Sequence, residues 1–231
     1  MKLTGVSAIL FDKDGTLFDF SASWAGWVCR ILDDLSKGNT AHASAMATTI
    51  QFDMGARRFA PTSPVIAGTI DDAAELLGVH LPQMSHKALV TYLAETSADA
   101  PMVPPVPLVP LLSGFQKRGV LMGVATNDGE MPARAHLTRA GILHLFSHIL
   151  GYDSGFTPKP DPAMLLAYAQ LAGVAPQAVV MVGDSTHDLV AGQAAGMRTI
   201  GVLTGMASKD DLAPFADIVL PDIGHLPDII A

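Results

Sequence analysis

Four stretches of the chain are almost continuously apolar for five or six residues: Val6–Phe11, Val120–Ala125, Ala178–Val182 and Thr199–Leu203. Strands covered on both faces read this way, because neither side of the pleat meets water. His148–Leu150 and Asp217–Leu220 are shorter runs of the same kind. Segments of helix length separate them. Met131–Ala140 stops at Gly141, a second is opened by Asp161-Pro162 and closed before Gly173, and Thr186–Ala195 stops at Gly196. An Asp cap, a proline at the first helical position and a closing glycine mark the ends of such helices. Strand–helix alternation predicts an α/β fold, a doubly wound, mostly parallel sheet with a Rossmann-like core.

The alternation breaks once. From Ser21 to Ser97 no convincing strand occurs, and the pattern predicts helices over Ser23–Leu35, Ala41–Phe52, Thr69–Leu77 and Met84–Thr96, with Gly38 and Gly78 as stops. A proline-rich stretch, Pro101–Pro110, follows and suits a stiff strut between two bodies. The expected organisation is a core of residues 1–17 and 101–231 carrying a helical cap domain of residues 18–100, hinge segments included.

Composition narrows the function. The chain has 231 residues, 49% hydrophobic and 16% charged, which excludes a disordered protein. Its net charge of −8 is the reverse of what a nucleic-acid binder carries. A single cysteine, Cys29, excludes a disulfide scaffold. No apolar run approaches the ~18–20 residues of a membrane span, and Val6–Phe11 ends at once in charge, unlike a secretory signal. The expectation is a cytoplasmic protein with no membrane or nucleic-acid partner. Nothing in the chain chooses between monomer and homodimer.

The chemistry lies where the strands end. The first runs into Asp12-Lys13-Asp14-Gly15-Thr16, the second into Thr126-Asn127-Asp128, and the run at Val179 into Gly183-Asp184-Ser185-Thr186-His187-Asp188. Ligands of open α/β sheets bind outside the carboxyl ends of the strands, so these clusters should share one crevice, joined by Lys159. Asp12, Asp14 and Asp184 would crowd like charges there, and a hard divalent cation relieves that conflict, Mg²⁺ beside phosphate. A carboxylate is already ionised at neutral pH and can attack phosphorus, while a second acid two residues on can move the proton. Thr126 and Lys159 can meet the charge on the transferring group.

Four motifs in order resemble those of the haloacid dehalogenase superfamily, in its phosphatase branch with a helical cap: Asp12-Lys13-Asp14-Gly15-Thr16, Val124-Ala125-Thr126-Asn127, Lys159-Pro160-Asp161-Pro162 and Gly183-Asp184-Ser185-Thr186-His187-Asp188. The resemblance looks strongest to the phosphoglycolate phosphatase group. It implies Asp12 as nucleophile and metal ligand, and Asp14 as general acid/base whose main-chain carbonyl also ligates Mg²⁺. It implies Thr126, Asn127 and Lys159 as phosphoryl-binding groups, Asp184 as a direct metal ligand, and Asp188 behind them, orienting Lys159 or a metal-bound water. The implied activity is Mg²⁺-dependent hydrolysis of a small phosphate ester, 2-phosphoglycolate favoured, through an aspartyl-phosphate. A phosphoacceptor signalling switch and a sugar-phosphate phosphatase or mutase-like relative are the alternatives. Such mutases carry Glu where this chain has Gly183.

Specificity should reside in the cap. Arg30, Arg57 and Arg58 could reach a substrate carboxylate, although a solvated face is their ordinary use. Trp24 and Trp27, three apart on one helical face, suit packing within the cap or lining of the cleft. Asp19 suits a cap of the first insert helix or a hinge contact, and His187 a helix surface. Lys13 has no role in chemistry if it points away from the sheet edge.

Overall fold

The computed structural model describes residues 2–230. Its elements run β1 (Ala8–Phe11), α1 (Phe20–Ser36), α2 (Thr40–Thr49), β2 (Phe52–Asp53), β3 (Arg58–Phe59), α3 (Ile70–Gly78), α4 (His86–Ser97), α5 (Leu108–Lys117), β4 (Leu121–Ala125), α6 (Glu130–Arg139), β5 (His148–Leu150), α7 (Ala163–Ala172), β6 (Val179–Gly183), α8 (Thr186–Ala194), β7 (Arg198–Val202), α9 (Lys209–Leu212), β8 (Ile218–Leu220) and α10 (Leu226–Ile229). The six strands of the main sheet are all parallel, in the order β5-β4-β1-β6-β7-β8. All six apolar runs therefore become strands.

Alternate residues of β1 explain why the runs are continuous. Ile9 and Phe11 enter one buried cluster with Leu112, Phe115 and Leu137 of α5 and α6. Ala8 and Leu10 enter another with Met164, Tyr168 and Ala191 of α7 and α8. Both faces are covered by helices, so neither offers a polar position. The chain winds to one side of β1 through β4 and β5, then to the other through β6, β7 and β8, which makes β1 the switch point of the topology.

Helices α1 to α4 gather round a third cluster of their own, with Trp27, Ile31, Met46, Leu77, Leu89 and Leu93 at its centre. Asp19 caps α1, its carboxylate accepting from the Ala22 amide at 2.8 Å. The two crossings between insert and sheet are tied together: Asp19 N–H donates to the Val103 carbonyl at 2.8 Å, and Val103 N–H to Ser23 Oγ at 3.0 Å.

Several expectations need correction. The insert does contain strands, the two-residue pair β2 and β3. The helix expected over Ala41–Phe52 ends at Thr49, and Phe52 instead packs on Phe59 across the hairpin with ring centroids 4.9 Å apart. Asp53 closes that turn by accepting from the Gly55 and Ala56 amides, an interaction of neighbours that no periodicity reveals. Gly78 is the last residue of α3 rather than a left-handed stop, and Val79 behind it stays right-handed. The strut is shorter than Pro101–Pro110, because α5 begins at Leu108 and Pro110 falls in its first turn, where a missing N–H costs nothing. Pro162 stands just before α7, and Asp161 still receives the Ala163 amide at 2.8 Å.

Candidate active site

Register alone brings the polar clusters together. Phe11, Val124 and Val182 stand side by side in β1, β4 and β6. The residues that follow, Asp12, then Thr126 and Asp184, therefore leave the sheet within one residue of a common line. Lys159 arrives from the segment between β5 and α7. Asp12, Thr126, Lys159 and Asp184 are all buried and all line one cavity of about 110 Å³ between sheet edge and insert.

Lys159 is the hub. Its ammonium donates to Asp12 Oδ1 at 2.6 Å, to Asp188 Oδ1 at 2.5 Å and to the Ala125 carbonyl at 2.7 Å. Burial opposes its charge, yet Asp12 and Asp188 outweigh burial and raise its pKa above the usual lysine range. Asp188 is fully engaged, since its Oδ2 receives Ser185 N–H at 3.0 Å and Ser185 Oγ–H at 2.6 Å, and the Ser185 side chain in turn caps α8. Asn127 is a strut: its amide group donates to the Lys159 and Ala67 carbonyls, each at 2.9 Å, and its oxygen accepts from Lys159 N–H at 3.0 Å. The Thr126 hydroxyl accepts from Asp128 N–H at 3.0 Å.

The carboxylates that converge differ from the expected trio. Asp12, Asp184 and Asp188 each offer an oxygen within 4.8 Å of the others. Asp14 lines the same cavity and its charge bears on Asp12, but its carboxylate is not one of this trio. Three buried carboxylates face one ammonium, so negative charge is in excess. Burial pushes the Asp12 carboxyl up to about 7, against the pull of Lys159, and pushes Asp184 well above its ordinary range. Among the described residues only Thr16 donates to Asp184, from Oγ1 at 3.2 Å. Gly15, at φ +86°, and Gly205 press their backbones against the Asp184 carboxylate so closely that a Cβ at either would overlap it. Surplus charge, unspent hard oxygen donors and a backbone cradle that fixes one of them fit a divalent cation.

Asp14 belongs to a second network that the sequence concealed. Lys13 is wholly buried, and its ammonium meets both Asp14 oxygens at 2.6 Å, Asp128 Oδ2 at 3.0 Å and His136 Nδ1 at 3.2 Å. The Asp128 contact is an ion pair off the hydrogen-bond direction, as that oxygen has no aligned donor. His136 sits between sheet and insert, its Nε2 against the Ser97 carbonyl at 2.8 Å. Burial, then the Lys13 charge, lower its pKa to about 4, so the ring is neutral, with Nε2–H donating and Nδ1 accepting. Trp24 Nε1–H donates to Asp14 Oδ1 at 2.9 Å, and the Lys13 ammonium lies 5.3 Å from the Trp24 ring centre. Lys13 thus does not point away. The only local signal was a lysine in an otherwise buried run; His136 gave none.

Among the specificity candidates, Trp24 and Trp27 both pack within the insert and line the cavity. Arg30, Arg57 and Arg58 are exposed and do not line it, and Arg30 donates to the Thr96 carbonyl at 3.2 Å. His187 lines it half-buried.

Comparisons with known proteins identify the family. Residues 6–196 match the profile of the haloacid dehalogenase-like hydrolases. A phosphoglycolate phosphatase of Rhodospirillum rubrum is 30% identical over 223 residues, 96% of this chain and 89% of the relative. A probable phosphatase of Dickeya dadantii, IndB, is 30% identical over 215 residues, 93% and 88% of the two chains. In fold, a crystal structure named as a predicted phosphoglycolate phosphatase of Haemophilus somnus superposes with a TM-score of 0.73 at 22% identity, over 98% of both chains. No helix among the described residues is long and apolar enough to cross a membrane. The chain belongs to the haloacid dehalogenase-like hydrolase family, and within it stands among phosphatases.

Proposed function

We propose that this enzyme is a Mg²⁺-dependent phosphomonoesterase that works through an aspartyl-phosphate on Asp12. The observation that carries the reading is the Lys159 ammonium, bridging Asp12 and Asp188 beside Thr126 and Asp184 on one cavity wall. Asp12 and Asp184, with the main-chain carbonyl of Asp14, would hold the ion. Bound there, it would offset the buried negative charge and the charge of the incoming phosphate.

An Asp12 oxygen attacks phosphorus, and the P–O bond to the alcohol breaks. Asp14 protonates the leaving oxygen, then takes a proton from the water that cleaves the acyl phosphate, returning Asp12 as carboxylate and releasing inorganic phosphate. Lys159 and the Thr126 hydroxyl meet charge on the equatorial oxygens. Asp188 keeps Lys159 aimed at Asp12. Residues 18–100 act as the cap that excludes water, with residues 1–17 and 101–231 as the catalytic core.

The test is turnover of an aryl phosphate with and without Mg²⁺ by wild type and Asp12→Asn. Loss of about a thousandfold or more in kcat for the variant, and Mg²⁺-dependence of the wild type, are expected. Equal rates for the two proteins would remove Asp12 from the chemistry. The names of the relatives make 2-phosphoglycolate the reference substrate, and its carboxylate asks the cap for a cation.

A further inference from the structure

The cap wall of the cavity provides no such cation. It is built of hydrocarbon and aromatic rings, among them Trp27, Ile31, Phe59, Ile66, Leu77 and Leu93. Among the described residues of 18–100, no Lys, Arg or His lines it. The polar side chains that do are already spent. The Thr69 hydroxyl donates to Asp72 and caps α3. The indole N–H of Trp24 goes to Asp14 and that of Trp27 to Thr96. From the core side, both Asn127 amide hydrogens go to carbonyls. A carboxylate or a row of hydroxyls placed against this wall would lose its water and find no free side-chain partner there. An apolar group there gains from burial.

Resting on the phosphomonoesterase reading, we infer that the substrate is the phosphate monoester of a small apolar alcohol or phenol, its phosphate at the Asp12 edge and its hydrocarbon part against the cap wall. The space sets the size. An apolar cavity of roughly 150 Å³ takes benzene, and about 110 Å³ here must also receive the phosphate, so the hydrocarbon part is no larger than one ring or a short branched chain. Specificity follows from a cap wall whose side chains hold no free polar partner, the half-buried His187 lying on the core side.

The experiment compares kcat/KM of the full chain with Mg²⁺ for benzyl phosphate, 2-phosphoglycolate, glucose 6-phosphate and acetyl phosphate. Acetyl phosphate has almost no organic part and reads the phosphoryl chemistry alone. Benzyl phosphate is expected to exceed 2-phosphoglycolate and glucose 6-phosphate by about a hundredfold, the discrimination that a buried unpaired polar group or a missing apolar contact imposes. Ile66→Arg, which puts a cation at the half-buried rim of the wall, should move the ratio of 2-phosphoglycolate to benzyl phosphate upward by about tenfold or more. Turnover of acetyl phosphate together with a preference for 2-phosphoglycolate or glucose 6-phosphate in the wild type would overturn the apolar substrate and leave the phosphatase standing. No turnover of any of the four would overturn both.

Discussion

At the residue scale, Lys13 shows how far a motif can be read. Its position between two acids is visible, but its partners Asp128 and His136 come from β4's exit and from α6, more than a hundred positions away. Burial opposes its charge, and Asp14 and Asp128 still hold its pKa above the ordinary lysine value. Burial in turn raises Asp128, with Lys13 pulling it back down. Lys13→Met therefore leaves Asp128 buried without a counter-charge, and the expected loss is about 3–5 kcal/mol of folding stability at neutral pH. The sign of the pH dependence follows. A carboxylate raised in the fold is tolerated while protonated and becomes costly as pH rises. The gap between variant and wild type, measured by urea unfolding, should narrow as pH falls toward the carboxylate range; a gap that stays constant would mean that Asp128 does not depend on Lys13. The acids of the motifs were legible because each follows a recognisable strand. Gly205 was not, because its task, leaving room for Asp184, exists only once two distant loops meet.

At the element scale, legibility follows the length of the pattern. The sheet strands could be read as apolar runs, most clearly β1 and β6, which are buried on both faces, while the hairpin of β2 and β3 has two residues per strand and no period to display. Helix α5 was hidden because Pro107 and Pro110 look like breakers, although proline is compatible with a first turn. Helix α8 joins structure to chemistry most directly. Its capping box satisfies the helix end through Ser185 and Asp188, and the same Asp188 carboxylate pairs with Lys159. Helix α4 has an ordinary cap at Ser85, exposed and in the insert. Ser185→Ala and Ser85→Ala should each cost about 1 kcal/mol in thermal unfolding. Only Ser185→Ala should also lower kcat, by several-fold, because Asp188 loses the hydroxyl that fixes its orientation toward Lys159. Equal activity of both variants would make the α8 cap a stabilising feature alone.

At the scale of the whole molecule, the single interruption in strand–helix alternation coincides with helices that gather a hydrophobic cluster of their own, because such helices must carry their own apolar pattern. What faces the cavity from that insert was only partly legible: the sequence left Trp24 and Trp27 between packing and lining, and Trp27 and Ile31 serve the insert's interior and the cavity wall at once. The sheet edge, by contrast, has a property that can be read in bulk. Burial pushes the Asp12 carboxyl up to about 7 and raises Asp184 as well, so the metal-free molecule holds protons there through the mildly acidic range. A divalent cation binds the deprotonated oxygens, and each proton displaced weakens its binding as pH falls. Linkage then requires that added Mg²⁺ raise the melting temperature little at pH 5.5 and substantially at pH 7.5, with the transition near 7. His136 titrates lower, at about 4, and is held by Lys13 and Ser97 with or without the ion, so it drops out of the difference. Calorimetry at pH 6.5 in two buffers of different ionisation enthalpy should register proton release on Mg²⁺ binding, and Asp12→Asn should reduce that release. A Mg²⁺ effect independent of pH, with no protons released, would place the ion away from Asp12 and Asp184 and detach the acidic cluster from metal binding.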